Sequence, residues 1–361
     1  MQNEQMELAF ETTPKTRATR LWMPKHVLFT PAALAEPWGQ QIHERIKHLG
    51  LPITELASNR VMGLRGATER ETYALAKRTV AVVVAPPSAF KLQPIPPSAD
   101  WQFHLAEGCP AHCQYCYLAG SLSGPPVVRA FANLPAILDN ALRYAATSEA
   151  SFEVSCYTDP LSLEHLTGSL GECIRRFGQQ EHGYLRWVSK FAAVEPLLNI
   201  QHNGRTRPRF SINAAPVSSR LEGGTASVSE RLAAARRLAT PRTDGGGGYP
   251  LGLVIAPIMP FADWQTHYAA LLDEAASALD FACDLTFELI THRFTPGSKK
   301  ILLGWYPNTS LDLDETTRAV KRNKFGGTKY VYERATMREL REFFEREIAA
   351  RFPHAQILYW T

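Results

Sequence analysis

One stretch limits what this chain can become: Glu107-Gly-Cys-Pro-Ala-His-Cys-Gln-Tyr-Cys-Tyr117. It holds Cys109, Cys113 and Cys116, with three residues and then two between them. Thiolates are soft ligands that suit iron–sulfur clusters. Most cubane clusters take four cysteines, so three local ones leave one iron without a protein ligand. An open position of that kind can take a cofactor or substrate directly, as in catalytic metal sites. Gly108 and Pro110 suit a loop that turns tightly around a cluster. Two other readings stay open on these residues alone, a zinc site completed by His112 and buried free thiols. Against zinc, the spacing of three then two departs from the isolated pairs of structural zinc sites.

The rest of the chain is ordinary for a globular protein. Its 361 residues, 45% hydrophobic and 20% charged, can bury a large core. A net charge of +4 confines any nucleic-acid surface to a local patch. No apolar run reaches membrane-spanning length, so no membrane partner is expected. Residues 1–20 are polar and mixed in charge, and are expected to be a disordered tail without a signal peptide. Six cysteines, three of them clustered, argue for a reducing cytoplasm and against a disulfide scaffold.

Residues 21–100 read as a small α/β region, with a strand from His26, a helix from Pro31 to Leu49 and a strand from Val80 to Ala85. From Trp101 strands and helices alternate. Strands are expected at Phe103 to Ala106, Phe152 to Cys156, Leu185 to Ser189, Arg209 to Ile212, Leu251 to Ile255 and Leu285 to Ile290. Six such units imply parallel βαβ pairing over 101–291, with chemistry at the C-terminal strand ends. The cysteine loop, Cys156, Lys190, Ser211 and Asn213 would all converge there. Residues 292–361 read as an extension. Lys299 to Phe325 looks polar and irregular, a basic hairpin turns at Gly326-Gly327, and a closing helix carries Met337, Leu340, Phe344 and Ile348. A last strand is expected at Ile357 to Trp360.

With these residues assembled, the sequence resembles the spore photoproduct lyases of the radical S-adenosylmethionine (SAM) superfamily. The spacing of the cysteine loop and its flanking aromatics match that superfamily. Phe152-Glu-Val-Ser-Cys-Tyr-Thr-Asp159, His202 to Asn213, Phe287 to Phe294, Leu311 to Glu315 and Lys329-Tyr-Val-Tyr332 match the lyases themselves. The resemblance implies a partial (β/α)6 TIM-like barrel of the radical SAM type, a [4Fe–4S] cluster on Cys109, Cys113 and Cys116, and SAM on the open iron. It implies DNA repair, with reversion of 5-thyminyl-5,6-dihydrothymine to two thymines through a 5′-deoxyadenosyl radical. The partners it implies are ultraviolet-damaged DNA and a low-potential electron donor such as flavodoxin or ferredoxin, for a monomer.

Residue roles follow where residues match. Cys156 stands at the family's hydrogen-donor position, and Tyr115 and Tyr117 match tyrosines linked to radical return. Thr158, Lys190 and Ser211 match positions near SAM or the lesion, Thr158 where the family often has Ser. Lys324 and Phe325 stand where the family tends to have Arg and Tyr, which loses bidentate bonding and the phenol. A physical argument adds DNA contacts. Arg205, Arg207 and Arg209 alternate, so they share one side of an extended segment. Lys321, Arg322 and Lys324 surround Phe325, a cationic patch with an aromatic able to stack on bases. The rival expectations are a radical SAM enzyme of the same architecture acting on another lesion or substrate, and a zinc-stabilised nucleic-acid-binding protein.

Overall fold

The structure, a computed structural model, describes residues 21–122, 124–146, 149–322 and 327–361. The expected tail over residues 1–20, Lys324 and Phe325 lie outside the described residues.

Two sheets divide the chain. The first has the order Ile53–Glu55, His26–Phe29, Thr79–Val83, Val128–Phe131, Ala106–Glu107, with only the last pair antiparallel. Its central strand is almost wholly buried, as a parallel strand covered on both faces should be. The helical run expected from Pro31 to Leu49 is two helices, Pro31–Ala35 and Pro37–His48. Pro37 has no N–H to continue the first helix and drives Glu36 into extended backbone. Two strands of this sheet come from beyond residue 100, so the chain returns to it after entering the second sheet.

The second sheet curls into a partial barrel. Its six parallel strands run in sequence order: β1 (Ala99–Phe103), β2 (Ser151–Val154), β3 (Tyr184–Ser189), β4 (Thr206–Ile212), β5 (Leu251–Ile258) and β6 (Leu285–Thr291). On the open edge β7 (Gln356–Trp360) adds in parallel beside β6. Gln93–Ile95 adds antiparallel beside β1. Helices cover the outer face because each has an apolar stripe to bury. Leu134–Ala145 buries Leu134, Ile137, Leu138 and Ala141. Val228–Ala239 starts at a capping box in which Ser227 and Glu230 satisfy each other's free N–H groups.

The segment read as irregular from Lys299 contains a helix, Pro296–Trp305. Thr295 and Ser298 form its capping box and Pro296 starts it. Leu302 anchors it against Ala119, Phe294 and Leu311.

The arginine reading is corrected by the barrel. The three arginines do share one side, but at the N-terminal end of β4, opposite the cysteine loop. Arg209 is buried and pairs with Glu153 of β2 and, at 2.7 Å, with Glu288 of β6. Arg207 reaches Asp284 at 2.6 Å and the Leu251 carbonyl at 2.8 Å. Arg205 stacks over Tyr184 and pairs with Glu149 at 3.0 Å. These guanidiniums close the barrel floor and are spent on the protein itself, so Arg205 and Arg207 are not placed to meet DNA at the mouth.

Arg209→Ala leaves buried Glu153 without its ion-pair partner and leaves Glu288 to Arg186 alone. It should cost about 3–5 kcal/mol of stability, as breaking a buried pair does. Arg205→Ala removes only a surface pair and should shift the unfolding midpoint far less. Urea denaturation followed by circular dichroism checks both. Equal midpoints for the two variants would mean that the floor is not a stabilising network.

Candidate active site

After β1 the chain crosses to the first sheet at Ala106–Glu107 and turns into the cysteine loop. Gly108 makes the turn at φ +77°, and a Cβ there would meet the Val127 carbonyl at 2.3 Å. Only glycine fits both the backbone and the space. The loop is then held from three sides. His112–Cys113 pairs antiparallel with Glu222–Gly223. The Gln114 side chain donates to the Arg220 carbonyl at 3.0 Å and accepts from Thr309 at 2.5 Å. Lys77 donates to the carbonyls of Cys109 and Ala111, each at 2.6 Å.

The three thiols are free, and Cys113 is buried. Burial pushes the Cys109 thiol up to about 12, with Lys77 pulling it back. Burial pushes Cys113 up as well, with Lys190 pulling it back and Glu222, Cys116 and Cys109 adding to the rise. Thiols held this way ionise when a soft metal takes the proton's place. His112, the fourth ligand of a zinc reading, turns its Nδ1 to the Tyr73 hydroxyl at 3.1 Å. Among the described residues no three His, Cys, Asp or Glu side chains converge on one ion position. A cubane asks for no such convergence, since each thiolate serves its own corner. The donor set of three soft thiols therefore fits an iron–sulfur cluster with one open iron.

Cys156 follows β2 at a sharp bend. Ser155 takes φ +64°, a left-handed value that non-glycine residues seldom adopt. It is held there because its N–H donates to the Phe103 carbonyl at 2.8 Å and its Oγ accepts the Leu105 N–H at 3.1 Å. The bend leaves Cys156 part-buried at the C-terminal end of β2. Burial and then Glu153 push its thiol well above the ordinary range, so it stays S–H. Tyr117 is 59% exposed to the open mouth. Its hydroxyl is raised above its ordinary value by the surrounding protein and by the charges of Cys156 and Cys116. Thr158 Oγ1 is buried without a hydrogen-bond partner among the described residues. An orphan hydroxyl at a mouth is a vacancy for a polar ligand atom, which fits SAM.

A second group gathers on the other wall. The Lys190 ammonium meets the Ser211 hydroxyl at 2.5 Å and Glu222 at 3.3 Å, and lies 5.6 Å from the centre of the Tyr115 ring. Glu222 also pairs with Arg231 at 2.6 Å and accepts from the Tyr115 hydroxyl. Burial alone would raise Glu222, but Lys190 and Arg231 outweigh it and hold the carboxyl below its ordinary value. Asp159 fixes the β3 end by accepting from the Lys190 N–H at 2.7 Å and the Ser189 hydroxyl at 2.8 Å.

The structure thus brings Cys109, Cys113, Cys116, Tyr115, Tyr117, Cys156, Thr158, Lys190 and Ser211 to one end of the barrel. The sequence reading missed Lys77, Glu222 and Asp159. Lys77-Arg78 reads as a solvated helix end, and Glu222 as one more surface acid. Asp159 does close the segment from Phe152, but nothing local marks its role.

The hairpin stands apart from this group. Ala319–Arg322 pairs with Thr328–Val331, and its turn falls partly outside the described residues. It is docked by the backbone pair of Phe294 with Tyr330 and by Arg318, whose guanidinium lies 3.8 Å from the Tyr332 ring centre. Lys321 and Arg322 are exposed.

Known proteins share this arrangement. The family model described as spore photoproduct lyase matches residues 22–361. The spore photoproduct lyase of Geobacillus sp. (strain Y412MC61) is 41% identical over 94% of this chain and 99% of its own. That of Bacillus subtilis (strain 168) is 38% identical over the same shares. Two solved structures each match at 40% identity and TM-score 0.88, over 95% of this chain and 100% of theirs. One is a variant spore photoproduct lyase with bound AdoMet and dinucleoside spore photoproduct, the other a spore photoproduct lyase complexed with dinucleoside spore photoproduct. With sequence and backbone agreeing over nearly the whole length, the chain belongs to the spore photoproduct lyase family, radical SAM enzymes that act as lyases.

Proposed function

We propose that this chain repairs DNA by returning 5-thyminyl-5,6-dihydrothymine to two thymines. The observation that carries the reading is Cys156, a free cysteine outside the cluster loop, on the bend that Ser155 makes at the C-terminal end of β2. In this reading Cys109, Cys113 and Cys116 would hold a [4Fe–4S] cluster, and Thr158, Lys190 and Ser211 would offer polar partners to SAM. Bound together, these cofactors would supply the radical chemistry that opens the lesion.

The protein's own groups do the rest. Thr158 offers an unspent hydroxyl and Lys190 a cation, which together bind and orient a charged cofactor. Cys156 keeps its hydrogen on sulfur and gives it to the product thymine radical. Tyr117 stands beside the spent cysteine as the next hydrogen source. Tyr115 holds its hydroxyl on the ionised Glu222, an acceptor for its proton.

The hairpin serves DNA. Lys321 and Lys329 sit directly opposite each other across its strands. Like charges in that register repel. Burial, Arg293 and Lys321 all hold Lys329 below its ordinary value. A phosphate backbone would relieve that repulsion, and Lys324 and Phe325 extend the same arm by sequence. A crosslinked base must leave the stack to reach the mouth, and damage lowers that cost. Electrons come from a low-potential flavodoxin or ferredoxin, and the enzyme works as a cytoplasmic monomer. No helix among the described residues is long and apolar enough to cross a membrane.

Three outcomes test this reading. Anaerobically reconstituted Cys109→Ala, Cys113→Ala and Cys116→Ala proteins should each lose iron and reductive SAM cleavage; full iron and SAM cleavage in any one would sink the cluster assignment. Cys156→Ala should still cleave SAM and break the lesion, but yield altered thymine products while consuming SAM. Mass spectrometry of the products checks this, and intact thymine at the wild-type rate with SAM recycled would move the donor elsewhere. Neutralising Lys321 and Arg322 should reduce the slope of log affinity against log salt by about 2, roughly 0.9 for each lost phosphate contact. Neutralising Arg205 and Arg207 should leave that slope unchanged.

A further inference from the structure

The Lys77 side chain is a buried cation with no charged partner. The residue is 4% exposed and follows the helix Glu69–Ala76. Its Nζ donates to the Cys109 and Ala111 carbonyls and lies 5.4 Å from the Tyr73 ring centre. No carboxylate lies within ion-pair distance of it among the described residues, since it enters none of their salt bridges and makes no further contact. A buried charge answered only by neutral dipoles is costly, and proteins pair such charges or neutralise them. The other cation of the site, Lys190, has its acid in Glu222 at 3.3 Å. Lys77 has only the loop that carries Cys109.

We infer that Lys77 is the counter-charge of the cluster: a positioning residue whose ammonium fixes the loop through two carbonyls and raises the cluster's reduction potential. The inference rests on the cluster assignment made above. Three thiolates bring negative charge to the place where Lys77 lacks it. One-electron reduction adds another unit, so a fixed cation in a dry site favours the reduced form more than the oxidised one. Removing it should make the cluster harder to reduce. Hydrogen bonds and burial around the sulfurs are known levers on such potentials.

The test compares Lys77→Met, which keeps length and removes charge, with Lys77→Arg, which keeps charge. Both are reconstituted anaerobically beside wild type, assayed for iron and sulfide, and titrated with dithionite under EPR. If wild type itself takes up no iron, the cluster assignment fails and this inference falls with it, before the variants are compared. Lys77→Met should load iron and show about tenfold less reduced cluster at a given potential, a shift of about 59 mV to the negative. Lys77→Arg should stay near wild type. An unchanged midpoint in fully loaded Lys77→Met would overturn the inference. If Lys77→Met loads poorly while its apoprotein melts like wild type and Lys77→Arg loads normally, the positioning role stands. If both variants melt early and load alike, Lys77 is a packing residue and the inference falls.

Discussion

The site depends on one buried carboxylate. Glu222 is 7% exposed and answers Lys190, Arg231 and the Tyr115 hydroxyl at once. Its backbone also forms the ladder opposite Cys113. One residue therefore ties the cluster loop, the end of β3 and the helix Val228–Ala239 together. Two cations on one carboxylate outweigh its desolvation, which is why it stays ionised where a lone buried acid would not. Loss of this acid would leave two cations facing each other across the wall that the cluster loop leans on.

Polar residues recur inside the barrel for a related reason. A barrel of only six parallel strands cannot close on an apolar core and still leave a cavity at one end. The floor is therefore filled by Arg209 with Glu153 and Glu288, with Tyr359 of β7 donating to Glu288 at 2.6 Å. Ser98 donates to Glu153 at 2.9 Å from the other edge. The open edges of the sheet are thus stitched from beneath by side chains.

Much of this was legible in the sequence. The strands β2 to β6 are apolar runs broken by turn signals, and their spacing carries the parallel topology with it. The cysteine loop announces its own chemistry through spacing. Two kinds of feature were hidden. Short strands such as Ala106–Glu107 exist only because Val128–Phe131 lies beside them, and no local pattern records that partner. Side chains recruited from afar, such as Lys77 to Cys109, depend on contacts between residues 32 positions apart. The arginines of β4 show a subtler limit. Period two correctly put Arg205, Arg207 and Arg209 on one side, but which side faces the barrel floor follows from closure of the sheet and not from alternation.

The chain's cysteines show how context divides one residue type into opposed roles. Cys109, Cys113 and Cys116 lie on a loop pinned by Lys77, Gln114 and the Glu222 ladder, where thiolates can meet soft metal. Cys156 stands on a bend made by Ser155, where the Glu153 charge adds to burial in raising its thiol. An acid beside a thiol disfavours the thiolate, whereas a cation beside one favours it. Lys77 works against burial at Cys109 and Glu153 works with burial at Cys156, yet each thiol stays above its ordinary range until a soft metal takes the proton's place. A hydrogen-atom donor has to carry its hydrogen, and a metal ligand has to lose it. Exchanging those two neighbouring charges would work against both functions while leaving every cysteine in place.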